Sequence, residues 1–469
     1  MLQTLRNAWK TPDIRKKLLF VGFILLLYRL GTVIPVPFVN ASAFDASFGD
    51  TVLAYMDTLS GGALSTATLF ALGISPYITA SIVIQLLTVA FPKLQAWSQE
   101  GEEGKKKLNN LTRYVTVALA IVTSIGYYML LKNGGMIDVP TTYGKAGTRL
   151  GAVVIVAAYC AGAALVMWLA EKINENGLGN GISLILFANI VSGIPSFVIR
   201  LVDICMNAGL GRTLPYWGKH LAVAIVFAVL IVFAVLVMTV FSIFITGSER
   251  RIPVQYAKRV VGRKMYGGQS TNLPIKLNMS GVMPVIFASS IVTLPATIMT
   301  LCGVDGKVDA KAGFWSRFWD KTYTLFAADN WLYPLLLFVL SIAFGYFYTA
   351  ISFNPVEVSN NLKKNGGMIP GIRQGRPTSD YIAKILGRIT LIGSIFLGII
   401  AVLPIVADSL IMQPVLSYAL YGTKSYGDVF ANMFTFGGTS LLIVIGVVLE
   451  TIRELEAQLT MRNYKGFLG

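Results

Sequence analysis

The chain has 469 residues, of which 55% are apolar and only 13% charged, with a mean hydropathy of +0.66. An ordinary soluble domain is about 25% charged, so this composition points to a polytopic membrane protein and excludes a disordered chain, a coiled coil and a disulfide-rich scaffold. The formal charge is +16, from 39 Lys and Arg against 23 Asp and Glu. In a membrane protein such an excess asks which side carries it.

Residues 2–17, LQTLRNAWKTPDIRKK, interleave Leu2, Leu5, Trp9 and Ile14 with basic residues. The pattern suits a cytoplasmic helix on an anionic leaflet; it equally suits a solvated tail. A membrane span needs about 20 mostly apolar residues. Ten runs qualify: 18–36, 73–92, 111–131, 149–170, 180–202, 219–246, 279–302, 331–353, 385–407 and 433–453. No cleavable signal peptide is expected, because the first run is too long and no small-residue cleavage site follows it.

Segment 51–72 differs. It is half-apolar, carries Asp57, is interrupted by Gly61 and Gly62, and runs straight into the second span. We read it as a broken or re-entrant piece, or else a surface loop with a short helix. Re-entrant backbone is tolerated at membrane depth only where protein buries it or it lines a cavity. Span two carries Pro76, Thr79, Ser81 and Gln85, and the seventh span is flanked or interrupted by Asn278, Pro284, Ser289 and Ser290. Polar side chains in lipid seek partners on neighbouring helices. Gln85 and Asn278 are candidates to close two helices weakly together.

The even-numbered connections and both termini hold about 27 Lys/Arg and 12 acids; the other side holds about 11 of each. Arg29 lies inside the first span. Nearly all the excess is therefore on one side, which the positive-inside rule assigns to the cytoplasm with both termini. Two of these connections stand out. Loop 247–278 has seven Lys/Arg with Tyr256 and Tyr266 interleaved, and alternating Ile252, Val254 and Tyr256 predict a strand within a projecting hairpin. Loop 354–384 has Gly/Pro punctuation around Arg373. Basic loops of this kind serve topology and anionic lipid, or dock a large anionic partner.

Catalytic and metal signals are absent from the sequence. There is one histidine, His220, and three cysteines, Cys160, Cys205 and Cys302, without CxxC spacing. Metal, haem and Cys/His nucleophile sites need clusters of these residues. No cofactor, enzyme activity or direct nucleotide site is expected. The spans nearly lack the Asp, Glu or His with which proton-coupled carriers work. A secondary transporter of small solutes, using backbone carbonyls for sodium, remains the alternative.

The stretches LSGGALSTATLFALGISPYITASIVIQLLTVAFP (59–92), GKKKLNNLTRY (104–114), GNGISLILFANIVSGIP (179–195), ERRIPVQYAKRVVGRKMYGGQSTNLPIKLNMSGVMPVIFASSI (249–291), NPVEVSNNLKKNGGMIPGIRQG (354–375) and FGGTSLLIV (436–444) resemble the bacterial SecY family, the channel subunits of the general secretion translocon. The likeness runs in order from about residue 15 to the C-terminus. It implies an all-α fold of ten transmembrane helices in two inverted five-helix halves, 18–202 and 203–453, with a clamshell opening to lipid. Residues 1–17 and 454–469 are then cytoplasmic. It implies an apolar pore ring of Ile74, Ile78, Leu186, Ile190, Ile286 and Ile443; Leu186 stands where the family often has Ile, a volume-conserving change. A plug falls within about 57–72, including Leu59, Ser60, Gly61, Gly62, Ala63 and Leu64. The lateral gate lies between spans two and three and spans seven and eight, with Gln85 and Asn278 on its faces. Arg263, Lys264 and Arg373 match the family's docking residues for the ribosome and the SecA motor ATPase. The implied partners also include SecE and SecG, signal peptides and unfolded preproteins, and anionic lipids, at the bacterial plasma membrane.

Overall fold

The structure is a computed structural model that describes residues 2–40, 57, 60–138, 144–195, 198–199, 221–256, 259–261, 264–266, 270–301, 322, 330–407 and 438–465. Helix α1 (Leu2–Lys10) leads into α2 (Pro12–Gly31). Then come α3 (Ser75–Ala90), α4 (Pro92–Gln99), α5 (Glu102–Asn133), α6 (Gly144–Asn176), α7 (Gly181–Ser192) and α8 (Leu221–Gly247). Four strands follow, β1 (Glu249–Tyr256), β2 (Arg259–Val261), β3 (Lys264–Tyr266) and β4 (Ser270–Lys276). The chain continues through α9 (Met283–Leu301), α10 (Leu332–Ser352), α11 (Pro355–Lys364), β5 (Gly367–Met368), α12 (Arg376–Ala407) and α13 (Gly438–Lys465).

Each of the ten predicted spans meets a helix. Length and apolarity by themselves single out four of the described helices: Glu102–Asn133, Arg149–Asn176, Leu332–Lys364 and Arg376–Val406. A fifth is counted if α3 and α4, bent by 102° at their junction, form one span. Helices α2 and α13 carry charge, at Arg15, Lys16, Lys17 and Arg29 and at Glu450, Arg453 and Glu454. Several boundaries differ from the sequence reading: α12 begins at Arg376 and α13 runs from Gly438 to Lys465, and two further differences have a local cause. The first span, expected over 18–36, starts at Pro12, whose fixed φ suits a first turn, and ends at Gly31. Pro35 and Pro37 follow and disfavour helix in the residues before them. In place of helix, Pro35 pairs in an antiparallel bridge with Thr68. The fifth span, expected over 180–202, has a described helix of 12 residues that stops at Gly193. Its start is set by Asn180, whose side chain accepts from the Ile182 N–H at 3.0 Å.

The predicted hairpin is present, with β1 and β4 antiparallel from Glu249↔Lys276 to Gln255↔Ser270. The period-two pattern is real: Ile252 and Val254 are buried between exposed neighbours. β1 also pairs with β5 through Gln255↔Met368 and Tyr256↔Gly367. The two basic loops, read separately in the sequence, are therefore one sheet of order β4-β1-β5. It seats on the end of α12, where Ile252, Val254, Ile275 and Ile369 cluster with Ile382, Leu386 and Ile389. Loop 354–384 also contains α11, capped by Asn354, whose side chain accepts from Val356 N–H at 3.1 Å. Asn before Pro with Glu357 in the first turn is a helix-start signal.

The termini are joined. Ala8 and Ile14 are buried with Leu178 and Leu455 of α13, and Lys17 Nζ donates to Gln458 Oε1 at 3.3 Å. The N-terminal segment is thus docked on protein, while Trp9 stays 55% exposed. Arg453 Nη2 donates to the Thr246 carbonyl at 2.9 Å, satisfying an orphan carbonyl at the end of α8.

Ile275 is fully buried at the centre of the sheet's core. Ile275→Ala should destabilise this sheet unit by about 2–5 kcal/mol. Limited proteolysis should then cut the hairpin sooner than the α5–α6 pair.

Candidate functional site: an apolar cluster beside a buried re-entrant segment

The six residues matched to the pore ring come from four different helices or their caps, and the structure brings all of them into one core. Ile74, Ile78, Leu186, Ile190, Ile286 and Ile443 are each at most 5% exposed and belong to a single cluster. They sit on α3 and its N-cap, α7, α9 and α13. Four of them, Ile78, Leu186, Ile286 and Ile443, also line a cavity of about 200 Å³ together with Leu64 and Leu72. Its other walls come from α3, α5 and α9, among them Thr79, Thr123, Tyr127, Ser290 and Thr293. The cavity therefore follows the seam between α3–α5 and α9.

Segment 60–73 is a chain of turns, not a regular helix. Ser60, Ala63, Leu64, Ala67, Thr68, Phe70, Ala71 and Leu72 are buried. Such backbone must find partners for its own polar groups, and it does. Asp57 Oδ1 accepts from the Ser65 N–H at 2.8 Å, and the Asp57 carbonyl accepts from Gly62 N–H at 3.0 Å. Ser60 Oγ accepts from Leu64 N–H at 3.1 Å. Two tyrosines reach in from the neighbouring spans. Tyr127 Oη on α5 donates to the Leu64 carbonyl at 2.6 Å, and Tyr159 Oη on α6 donates to the Ala67 carbonyl at 3.3 Å. Their rings meet edge to face at 5.0 Å. Gly162 permits the close approach: a Cβ there would lie 2.0 Å from the Leu69 carbonyl oxygen. Gly61 and Gly62 adopt φ of 71° and 85°, the left-handed region that glycine enters freely. Segment 51–72 was left open between a re-entrant piece and a surface loop; over its described part it is an internal element. Leu59 lies outside the described residues.

The polar groups of the spans behave differently from expectation. Thr79 Oγ1 donates to the Ser75 carbonyl, and Ser289 and Ser290 both donate to the Ile286 carbonyl, so each bonds within its own helix. Gln85 Nε2 donates to Ser81 Oγ at 3.3 Å. Across the seam its side chain comes near Tyr348 of α10. Asn278 is buried just before α9, 3.4 Å from the Ser280 hydroxyl that donates to its Oδ1. The sequence did not single out Tyr127, Tyr159 or Tyr348. A tyrosine in an apolar span is an amphipathic residue that needs one polar partner, but which partner is a matter of tertiary placement.

On the docking side, Arg373 is exposed, and its carbonyl accepts from Thr378 Oγ1 at 2.7 Å. The turn around it is tied down by Ser359 Oγ donating to the Gly375 carbonyl and Gln374 Nε2 to the Gly367 carbonyl. Lys264 opens β3; Arg263 lies outside the described residues. So do His220, Cys205 and Cys302, whereas Cys160 is half-buried with a free thiol. Among the described residues no three His, Cys, Asp or Glu side chains form a metal-binding group.

The SecY family model matches residues 68–452. The chain belongs to the SecY family. Protein translocase subunit SecY of Streptomyces scabiei is 42% identical over 482 residues, and that of Mycobacterium bovis is 41% identical over 478, each covering 100% of both chains. Among solved structures, a protein-conducting channel superposes with a TM-score of 0.60 at 15% identity, covering 94% of this chain and 91% of the other. Sec61 in the canine ribosome–channel complex from the endoplasmic reticulum gives 0.56 at 15% identity, with the same coverage. The fold is thus that of SecY channels, a multi-pass helical membrane architecture.

Tyr127→Phe removes a hydroxyl that donates to a buried carbonyl, which costs about 1–3 kcal/mol. In a SecY chain carrying Cys at Leu64, this change should raise the rate of thiol modification several-fold. An unchanged rate would mean the tyrosine does not hold the segment.

Proposed function

We propose that this SecY-family chain is the pore-forming subunit of a protein-conducting channel. It moves unfolded secretory proteins across the plasma membrane and releases signal or transmembrane helices sideways into lipid. The observation that carries this reading is the convergence of Ile78, Leu186, Ile286 and Ile443 with Leu64 around one cavity. Aliphatic side chains from separate helices make a constriction that dewets when empty and deforms around a passing chain. Ser60–Leu64 act as the plug, a second seal. The pore ring is completed by Ile74 and Ile190, buried in the same core.

The seam between α3–α5 and α9–α10 is the lateral gate. Gln85 and Tyr348 come near each other across it, and Asn278 lies at its end. An apolar signal helix entering there exchanges one set of weak helix contacts for another, which is why an uncoupled passive gate suffices. Energy comes from outside. The exposed Arg373 and the basic loop 247–278, whose sequence includes Arg263 and Lys264, are suited to an anionic surface such as a ribosome or the SecA motor. SecE and SecG complete the complex. Cytoplasmic termini and contact with anionic lipids follow from the charge excess on that side. The protein relatives named translocase subunits in Streptomyces and Mycobacterium support the same role.

Ile286→Asn and Ile443→Asn should each raise resting ion conductance in planar bilayers and export precursors with defective signals several-fold better than the parent. Parental conductance and parental export in both would remove the pore-ring assignment. Arg373→Glu should slow motor-driven precursor import into vesicles by more than tenfold while the amount of channel in the membrane stays unchanged. Import at the parental rate would remove the docking role.

A further inference from the structure

Arg29 falls inside the first predicted span, in the last turn of α2, and the division of charge between the two sides leaves it unexplained. A charge at membrane depth is expensive and is kept where it has a specific task. Among the described residues it enters no ion pair with a carboxylate; its Nη1 donates instead to the Gly61 carbonyl at 3.4 Å. Gly61 is the first glycine of the plug, and its surroundings are crowded. A Cβ there would lie 2.9 Å from Arg29 Nη1, 2.9 Å from Asn189 Oδ1 and 3.1 Å from Ser192 Oγ. Spans one and five thus meet the plug's turn at one point.

The groups beside Arg29 are fixed. Asn189 is fully buried on α7, and its Nδ2 donates to Tyr28 Oη at 2.8 Å. Tyr28 is also fully buried and stacks on Phe70 of the plug segment, with centroids 5.5 Å apart and planes 13° from parallel. The Arg29 carbonyl accepts from Thr32 Oγ1 at 2.7 Å, anchoring the end of α2. Beyond it, the Ile34 carbonyl accepts from Leu69 N–H at 2.9 Å. The start and the end of segment 61–70 are therefore held by the last turn of α2 and by the residues just after it.

We infer that Arg29 is the latch of the plug: its guanidinium, positioned by the Tyr28–Asn189 pair, holds the Gly61 carbonyl in the closed channel and releases it when the plug leaves. The hydrophobic contacts of Leu64 and Phe70 are non-directional and survive small displacements. A charged hydrogen bond in a low-dielectric site is directional and is lost within an ångström or so. Arg29 thus sets the threshold for opening, while the apolar contacts set the depth of the seal. Arg29 is a positioning residue, and the inference rests on the channel reading above.

The test uses the full chain, reconstituted with its small partner subunits in planar bilayers, and compares Arg29→Met, Arg29→Lys and Gly61→Ala. The readouts are resting ion conductance and thiol modification of a Cys placed at Ala63. Loss of one charge-assisted bond should raise both by about tenfold in Arg29→Met, with Arg29→Lys between it and the parent. Gly61→Ala, which keeps the charge but forces the carbonyl away, should give the same rise. The double variant Arg29→Met, Gly61→Ala should show no further increase, since both changes break the same contact. A merely structural arginine would lower the amount of assembled channel without changing conductance per channel. Parental conductance and thiol reactivity in Arg29→Met, or multiplicative effects in the double variant, would overturn the latch. Ile286→Asn run in parallel separates the two claims. If it leaks and Arg29→Met does not, the latch falls and the channel stands; if neither leaks, both fall.

Discussion

The interaction on which the rest depends is the satisfaction of non-helical backbone at membrane depth. A span that is wholly helical takes care of its own N–H and C=O groups. Segment 60–73 does not, and each of its open groups would cost several kcal/mol in hydrocarbon. The chain answers with donors carried on neighbouring spans, two tyrosine hydroxyls and a guanidinium, and with an aspartate that accepts within the turn. Every one of these fixes a side chain whose helix must then stand in a given place. The packing of α2, α5, α6 and α7 around the plug follows from that demand.

The apolar cluster works on the opposite principle. Ile78, Leu186, Ile286 and Ile443 offer no polar atoms, so nothing in the cluster specifies a single closed geometry beyond shape. A seal of this kind is tolerant of what passes through it, because dispersion contacts reform around any apolar or aliphatic surface. The protein thus combines a polar-anchored re-entrant segment with an apolar cluster that lacks directional contacts. The polar groups along the α3–α9 seam, bonded mainly within their own helices, leave that seam weakly tied. Weak ties between helices are what a sideways opening requires.

Much of this was legible in the residues. Each apolar run fell on a described helix, since burial in lipid imposes a long uniform signal. Gly61 and Gly62 next to Asp57 marked the irregular segment, because φ above zero and an internal acceptor are local needs written in local residues. Alternation at Ile252, Val254 and Tyr256 marked the strand. What escaped was tertiary. The pairing of Pro35 with Thr68 beyond the end of α2 is a tertiary contact, and the use of Tyr127 and Tyr159 as donors depends on where segment 60–73 sits. The pairing of β1 with β5 joins residues more than a hundred positions apart through only two register pairs, too short a signal to read from either segment. The helix α11 is a different case: its Asn–Pro start was present and readable, and the surrounding glycines and charges masked it.

The β1–β5 pairing has a mechanical consequence. The long β1–β4 ladder hangs from α8 and leads into α9, while β5 belongs to the connection between α10 and α12. A load applied to the hairpin by a partner is therefore shared between two hinges and not borne by one. Pulled along the strands, the seven β1–β4 register pairs resist in parallel. Pulled across them, the two-pair contact with β5 yields first. The sheet is in effect a clutch: rigid to thrust along one axis, and quick to disengage along the other.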